Sequence, residues 1–245
     1  MKIAVITITC RQNPRLDGVA KTLIASHARA GDDVKLGWII VDELGRKLVH
    51  LTGLRDEIDV NILDPAERFR AGVIVPPIAP VREAVDKLPA HNTARNAGLE
   101  AAIQMGADYV VFLNDCNLVT IDWVSVVRDC AKQGVGWKCK SHVVHDLPVP
   151  ADGVVRMRDH NDLLRQVPVL TVAGPCWGAP LEALEAIGGF DPAYDGQHKG
   201  GDVDAIVRMS RLGLTFVATQ RAFTVTLRRT KIATEITTSK EAHAG

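Results

Sequence analysis

The side chains best suited to chemistry in this sequence are carboxylates that follow short apolar runs. Residues 109–113 (YVVFL) are such a run, and the polar residues Asn114 and Asp115 come directly after it. Asp42 ends another apolar run, and Asp202 follows two glycines. A carboxylate at the carboxyl end of a strand in an open α/β sheet lies where ligands bind, and it can hold a divalent cation against a phosphate. This pattern predicts a site for a phosphate-bearing ligand such as a nucleotide sugar.

The elements that must position these carboxylates alternate between strands and helices in the first half of the chain. Such alternation is typical of a mostly parallel sheet with helices on both faces. The periodicity predicts strands at 2–9, 34–41 and 109–113, and helices at 19–29 and from a cap at Asn92 or Thr93 to about Met105.

The second half of the chain is more mixed. Its pattern predicts strands at 137–144, 154–158, 169–172 and 214–218, and helices at 121–133, 180–187 and 202–212. We expect one α/β domain over residues 1–229, in which about 1–120 bind the nucleotide sugar and 121–229 shape the acceptor side. The remainder, 230–245, is a polar tail.

Composition excludes several classes of protein. The 245 residues carry 29 basic and 29 acidic side chains, and a net charge of zero argues against a protein that grips duplex nucleic acid. No apolar run reaches 18 residues, so we expect no spanning helix, and the amino terminus lacks a signal-peptide pattern. Five cysteines without a C-x-x-C pair argue against a disulfide framework or a zinc ribbon. These features predict a cytoplasmic protein.

Four segments carry a family resemblance by their order and spacing. They are residues 94–98 (ARNAG), 109–116 (YVVFLNDC), 187–191 (IGGFD) and 201–208 (GDVDAIVR). Together they resemble an inverting glycosyltransferase of the GT-A fold, in particular family 2, over about residues 2–218. The resemblance implies a Rossmann-like GT-A domain that transfers a hexosyl or pentosyl group to an acceptor hydroxyl with inversion. The donor it implies is a nucleoside-diphosphate sugar, with a UDP-sugar favoured.

The resemblance also assigns a role to single positions. Asp202 corresponds to the general base that takes the acceptor's proton, although it is also suited to cap the helix that it begins. Asp42 corresponds to a carboxylate that contacts the nucleotide base or ribose, with a strand-end turn residue as the alternative. The other positions assigned to the nucleotide sugar are Thr9, Arg11, Arg95, Asn96, Asn114 and Asp115.

Alternatives stay open at several of these positions. A surface helix arginine explains Arg95 equally well, and a loop arginine is the simpler explanation of Arg11. Trp177 is a candidate platform for the sugar or the acceptor, because aromatic faces pack on pyranose rings, but a core tryptophan is nearly as well supported. Asp204 is assigned to the same acceptor side, with a solvated carboxylate as its alternative.

The resemblance implies a divalent cation, yet the cation cluster departs from the family pattern. Cys116 stands where the family has a metal-binding Asp, and a thiol is a poor ligand for Mn²⁺ or Mg²⁺. Asp115 and His198 are therefore the predicted ligands of a weakly bound cation. Alternatively, basic side chains take its place, for which the candidates are Arg221, Arg228, Arg229 and Lys231. A solvated basic strand and tail is the simpler explanation of these four residues.

Two other functions compete with a glycosyltransferase. The altered cation cluster also suits a non-catalytic nucleotide- or glycan-binding module of the same fold. A nucleotidyltransferase would need a glycine-rich basic loop after the first strand, but residues 10–18 contain a single late glycine. The acceptor is not identified by the sequence, and a nucleic-acid acceptor is not favoured because the net charge is zero.

Overall fold

The fold is an α/β domain built on one central sheet. The computed structural model describes residues 1–9, 16–42, 58–63, 91–145, 151–155, 165–174, 176–195 and 200–228. The strands in these residues are β1 (Lys2–Thr9), β2 (Lys35–Asp42), β3 (Asp59–Leu63), β4 (Tyr109–Leu113), β5 (Asn117–Val119), β6 (Gly136–His145), β7 (Arg165–Gln166), β8 (Cys176–Pro180) and β9 (Phe216–Arg228). The helices are α1 (Leu16–Ala30), α2 (His91–Met105), α3 (Trp123–Lys132), α4 (Leu181–Ala186) and α5 (Gly201–Arg211).

The sheet has a parallel half and a mixed half. Its strand order is β3-β2-β1-β4-β8-β6-β9-β5, and β7 pairs with β9 off this path. The first four strands are parallel to one another. β8 is antiparallel to both β4 and β6, and β9 is parallel to β6 but antiparallel to β5. This arrangement confirms the predicted parallel first half and mixed second half.

Helices cover both faces of the sheet, as the sequence predicts. Alternate side chains of a strand point to opposite faces. Ile3 and Val5 of β1 therefore pack in the cluster that contains residues of α1 and α3, whereas Ala4 and Ile6 pack with residues of α2, α4 and α5. Because both faces are covered, the parallel strands are apolar along most of their length.

Strand register brings the candidate residues to one edge of the sheet. Thr9, the last residue of β1, is the partner of Asp42, the last residue of β2. Ile6 of β1 is the partner of Phe112 in β4, so β4 ends beside the end of β1. The carboxyl ends of these three strands therefore form one edge, where open α/β sheets bind ligands.

Several predicted elements differ from the structure in kind. The segment predicted as a strand at 169–172 is a 3₁₀ turn at Val169–Thr171, where Pro168 precedes it and lacks an N–H for a ladder. β5 was not predicted because three residues carry too little periodicity, and β8 (CWGAP) was not predicted because it contains glycine and proline, which are depleted in strands. Part of the predicted strand 154–158 is a single bridge between Thr120 and Val155.

Other predicted elements differ in extent. α1 begins at Leu16 rather than at residue 19, and β9 continues to Arg228 instead of ending near 218. The sequence also predicts a hairpin at 44–46, and these residues lie outside the described part of the chain. Among the helices that the structure describes, none is long and apolar enough to cross a membrane.

Candidate functional site

A buried polar cluster occupies the carboxyl edge of the parallel strands. The Thr9 hydroxyl donates to the Oδ2 atom of Asp115 at 3.0 Å, which ties the end of β1 to the loop after β4. Thr9 is fully buried, Asp42 is 1% exposed and Asp115 is 4% exposed, whereas Asn114 is exposed. Four predicted nucleotide-sugar residues thus end or directly follow adjacent strands, and the two carboxylates among them are buried.

A second cluster is built around Asp202 in the first turn of α5. The Arg95 guanidinium, from the first turn of α2, places Nη2 3.0 Å from Oδ1 and 3.2 Å from Oδ2 of Asp202. Arg95 Nη1 donates to Asn92 Oδ1 at 2.9 Å, and the guanidinium lies 5.2 Å from the centre of the Phe190 ring. The predicted base and the predicted arginine are therefore ion-paired, so the surface-arginine alternative for Arg95 is not what the structure shows.

An aromatic cluster of Phe112, Trp177 and Phe190 lies beside the Arg95–Asp202 pair, since Arg95 contacts the Phe190 ring and Trp177 interacts with Asp202. The Phe112 ring centre is 4.8 Å from that of Trp177 and 5.0 Å from that of Phe190. Burial raises the pKa of Asp202, while the Arg95 charge and the Trp177 N–H act in the opposite direction. The Trp177 N–H acts on the carboxylate although its geometry falls short of a hydrogen bond.

The capping alternative for Asp202 is wrong. Gly200 is the N-cap residue of α5, with φ of 135°, and no side chain caps the helix there. Asp202 lies inside the first turn, where the positive end of the helix dipole favours a carboxylate. Its carboxylate is consequently available for interactions across the domain and not committed to its own helix.

The first turn of α2 holds the backbone that leads to Asp202. The Asn96 amide bonds the Phe190 backbone twice, since Nδ2 donates to the carbonyl at 2.8 Å and Oδ1 accepts from the N–H at 2.8 Å. Asn92 Nδ2 donates to the Asp191 carbonyl at 2.9 Å. Asn96 was predicted to contact the nucleotide sugar, but in this structure both ends of its amide serve the backbone of the loop.

The predicted cap of α2 is also different. The helix begins at His91, and the carboxylate of Asp195 accepts from the backbone N–H groups of Asn92 at 2.6 Å and Thr93 at 3.1 Å, and from the Thr93 hydroxyl. Asn92 and Thr93 thus lie inside the first turn. A residue about 100 positions away supplies the cap that the sequence assigned to Asn92 or Thr93.

Asp204 and Trp177, the two predicted acceptor-side residues, are used within the protein. Asp204 pairs with Arg208 at 2.7 Å, and Arg208 donates from Nη2 to the Gly189 carbonyl at 2.9 Å and from Nη1 to the Ile187 carbonyl at 2.5 Å. Trp177 is fully buried. These positions favour the core alternative for Trp177 and an ion pair, rather than a solvated group, for Asp204.

The remaining predicted residues lie mostly outside the described part of the chain. Arg11, His198, Arg229 and Lys231 fall there, as does the side chain of Arg228. Arg221 lies in β9 and pairs with Asp129 at 3.0 Å on the surface. The structure thus gives this one described basic candidate an ionic partner in α3.

The donor set at the carboxyl edge suits only a weakly held cation. Among the residues that the structure describes, no three His, Cys, Asp or Glu side chains are grouped to hold a metal ion. Asp115 offers a carboxylate beside the Thr9 hydroxyl, while the buried Cys116 thiol contacts the Asn117 amide oxygen at 3.6 Å. Mg²⁺ can be bound through one or two carboxylates, water and substrate phosphates, and these residues fit that mode.

No site role was predicted for three residues that organise this site, namely Asn92, Asp195 and Arg208, although Asn92 was a predicted cap and Arg208 lies in a family-like segment. The contacts of Asn92 and Asp195 join segments about 100 positions apart, and no local pattern encodes them. The i, i+4 spacing of Asp204 and Arg208 was a usable signal, because such pairs face each other on a helix.

The comparisons with known proteins agree on the fold. No protein-family model matches the chain, and no curated protein matches it in sequence. S. aureus TarS 1–349 in complex with UDP-GlcNAc superposes with a TM-score of 0.60 at 13% identity, covering 94% of this chain and 59% of that one. GalNAc-T7 with UDP, GalNAc and Mn²⁺ gives a TM-score of 0.61 at 12% identity, covering 94% of this chain and 44% of that one.

These matches extend over nearly the whole chain, although the chain spans only about three fifths of TarS 1–349. Both similar structures are glycosyltransferases that bind a uridine nucleotide. The fold predicted from the sequence is confirmed: this chain has a GT-A-type fold.

Proposed function

We propose that this protein transfers a hexosyl or pentosyl group from a nucleoside-diphosphate sugar to an acceptor hydroxyl, with inversion and with Asp202 as the general base. The observation that carries the proposal is the Asp202 carboxyl group, which is mostly buried, has a raised pKa, pairs with Arg95 and interacts with Trp177, the strand partner of Phe112 near the carboxyl end of β4. A carboxylate with a raised pKa is a better proton acceptor than an ordinary one.

The chemistry follows from a single displacement. The acceptor oxygen forms a bond to the anomeric carbon while the bond from that carbon to the diphosphate oxygen breaks. The hydroxyl proton passes to Asp202, and the electron pair of the broken bond leaves with the nucleoside diphosphate. Attack on the face opposite the leaving group inverts the anomeric centre.

The donor occupies the edge formed by β1, β2 and β4 in this proposal. Asp42 contacts the base or ribose, and Thr9, Asn114 and Asp115 face the diphosphate. A UDP-sugar is the favoured donor, because TarS and GalNAc-T7 are solved with UDP-GlcNAc and with UDP. A weakly held Mn²⁺ or Mg²⁺ at Asp115 would neutralise the charge that builds on the leaving diphosphate.

The decisive experiment measures transfer and hydrolysis with a panel of UDP-, GDP- and dTDP-sugars. Asp202→Asn is expected to lower kcat by about 10²–10⁴-fold and to leave nucleotide binding unchanged, because a general base contributes about that much to the rate. Asp129→Asn, which changes a surface carboxylate paired with Arg221, is the matched control and is expected to retain activity. Full activity in Asp202→Asn would refute the assignment of the base.

A non-catalytic nucleotide- or glycan-binding module is the second candidate. The observation that favours it is Cys116, which is buried where the family places a metal-binding carboxylate. This alternative predicts UDP binding by calorimetry, no turnover with any donor, and no effect of Asp202→Asn. Turnover of any one donor by the wild type excludes it.

A further inference from the structure

Two buried polar atoms of the described residues, one in β8 and one in α5, lack a hydrogen bond of ordinary geometry. The indole Nε1 of Trp177 and the Oδ1 of Asp202 have no hydrogen-bond partner among the described residues, although Oδ1 also lies 3.0 Å from Arg95 Nη2. The Trp177 N–H nevertheless stabilises the charged Asp202 carboxyl group, so the indole N–H lies close to that group. A buried indole N–H usually finds a partner, and here the carboxylate is the one within reach.

Packing fixes the direction of this N–H. Trp177 is fully buried, and its ring centre lies 4.8 Å from that of Phe112 and 6.1 Å from that of Phe190. Phe112 and Trp177 are also direct partners in the pairing of β4 with β8. The indole therefore cannot turn away from Asp202 without disrupting the core of the sheet.

We propose that Trp177 is a positioning residue for Asp202, a role that rests on the function proposed above. Its N–H and the Arg95 guanidinium hold the carboxylate from two sides. A carboxylate has about four acceptor positions. Arg95 takes one on each oxygen and Trp177 takes another, which leaves one for the acceptor hydroxyl.

Among the described residues, few other charges lie near this carboxylate. Arg95 approaches from α2, and Asp204 lies on α5 itself but is paired with Arg208. Of these groups only Arg95 alters the pKa of Asp202. Loss of the Trp177 N–H therefore leaves one stabilising contact to the carboxylate, and the pKa of Asp202 rises further.

The test compares Trp177→Phe with Trp137→Phe. Trp137 is equally buried and its Nε1 also lacks a partner in the described part of the chain, but it packs on Trp123 in the opposite layer. Trp177→Phe is expected to move the acid limb of the kcat/KM profile to higher pH by about half a unit or more, the size expected for one lost hydrogen bond to a charged group. Trp137→Phe is expected to leave that limb in place.

A second measurement does not depend on activity. The free energy of unfolding is measured against pH in four proteins: the wild type, Asp202→Asn, Trp177→Phe and the double variant. Because the pKa of Asp202 is raised in the folded state, that residue makes the protein less stable as pH rises from the ordinary aspartate pKa to the raised value. In Trp177→Phe this decline is expected to extend to higher pH.

The outcomes separate the two proposals. A shift in the unfolding measurement without any turnover would remove the enzymatic function and keep the contact. Turnover with no shift in either measurement would overturn the role of Trp177, as would equal shifts in both tryptophan variants. If Trp177→Phe does not fold, replacement of Trp177 by 3-benzothienylalanine, in which sulfur takes the place of the N–H, keeps the ring volume and decides the question.

Discussion

Arg95 and Asp202 form an ion pair that joins two helices far apart in the sequence. Arg95 Nη2 lies 3.0 Å from Oδ1 and 3.2 Å from Oδ2, and 107 positions separate the two residues. The pair is partly shielded from solvent, so the charge of Arg95 acts on the carboxylate more strongly than it would on a surface. It counteracts burial, which is the larger influence on the pKa of Asp202.

The ion pair predicts how activity depends on pH. Since the base must be ionised and its pKa is raised, activity is expected to fall at a higher pH than an ordinary aspartate would give. Arg95→Met removes a charge that lowers the pKa, so the acid limb of kcat/KM is expected to move further upward. Arg95→Lys keeps the charge, so its acid limb is expected to lie between those of the wild type and Arg95→Met. An acid limb that is the same in Arg95→Met and the wild type would contradict the coupling.

The turn before Phe190 provides a matched pair of glycine substitutions. Gly188 and Gly189 have φ of 71° and 74°, but a Cβ on Gly189 would lie 2.7 Å from Asn96 Oδ1, whereas a Cβ on Gly188 meets nothing within 4 Å. Gly188→Ala is expected to cost about 1–2 kcal/mol from left-handed backbone strain. Gly189→Ala is expected to cost roughly 1–3 kcal/mol more, because Asn96 must move from its bonds. Urea unfolding measures both, and equal losses would contradict this explanation.

The Asn96 amide predicts a stability loss that an exposed amide on the same helix does not cause. Asn96→Ala leaves both polar groups of the Phe190 backbone without their partner and is expected to cost about 1–3 kcal/mol. Gln104→Ala, at an exposed position of α2, is the control and is expected to change stability by less than about 0.5 kcal/mol. Denaturant unfolding checks both variants. A loss in Gln104→Ala as large as that in Asn96→Ala would show that α2 itself, and not the bonds to Phe190, is responsible.

Asp115 predicts how Mn²⁺ affects nucleotide binding. One carboxylate beside the Thr9 hydroxyl is expected to support a cation only together with the diphosphate, so Mn²⁺ should tighten UDP binding modestly, by about tenfold or less. Asp115→Asn is expected to abolish this increase, as titration calorimetry with and without Mn²⁺ would show. The same Mn²⁺ effect in wild type and variant would place the cation elsewhere.

The sequence by itself determined the elements that supply the site. Continuous apolar runs of strand length predicted β1, β2 and β4 nearly to the residue, because parallel strands that are buried on both faces are apolar along their length. The carboxyl ends of these strands then located Thr9, Asp42 and Asp115 at one edge. The order of the four family-like segments was sufficient to predict the GT-A-like fold, which the similar structures confirm.

Only the tertiary structure decided what several of those residues do. Asn96 and Asp204 have the types and positions of ligand-binding residues, yet they hold the backbone of the Gly188–Gly189 turn, Asn96 directly and Asp204 through Arg208. Asp195 caps a helix that begins about 100 residues earlier. Local pattern cannot specify such contacts, because they arise only when β8 inserts beside β4 and brings α5 against the start of α2. The carboxylate of Asp202 was visible in the sequence, but its burial, its pairing with Arg95 and its raised pKa exist only in the folded chain.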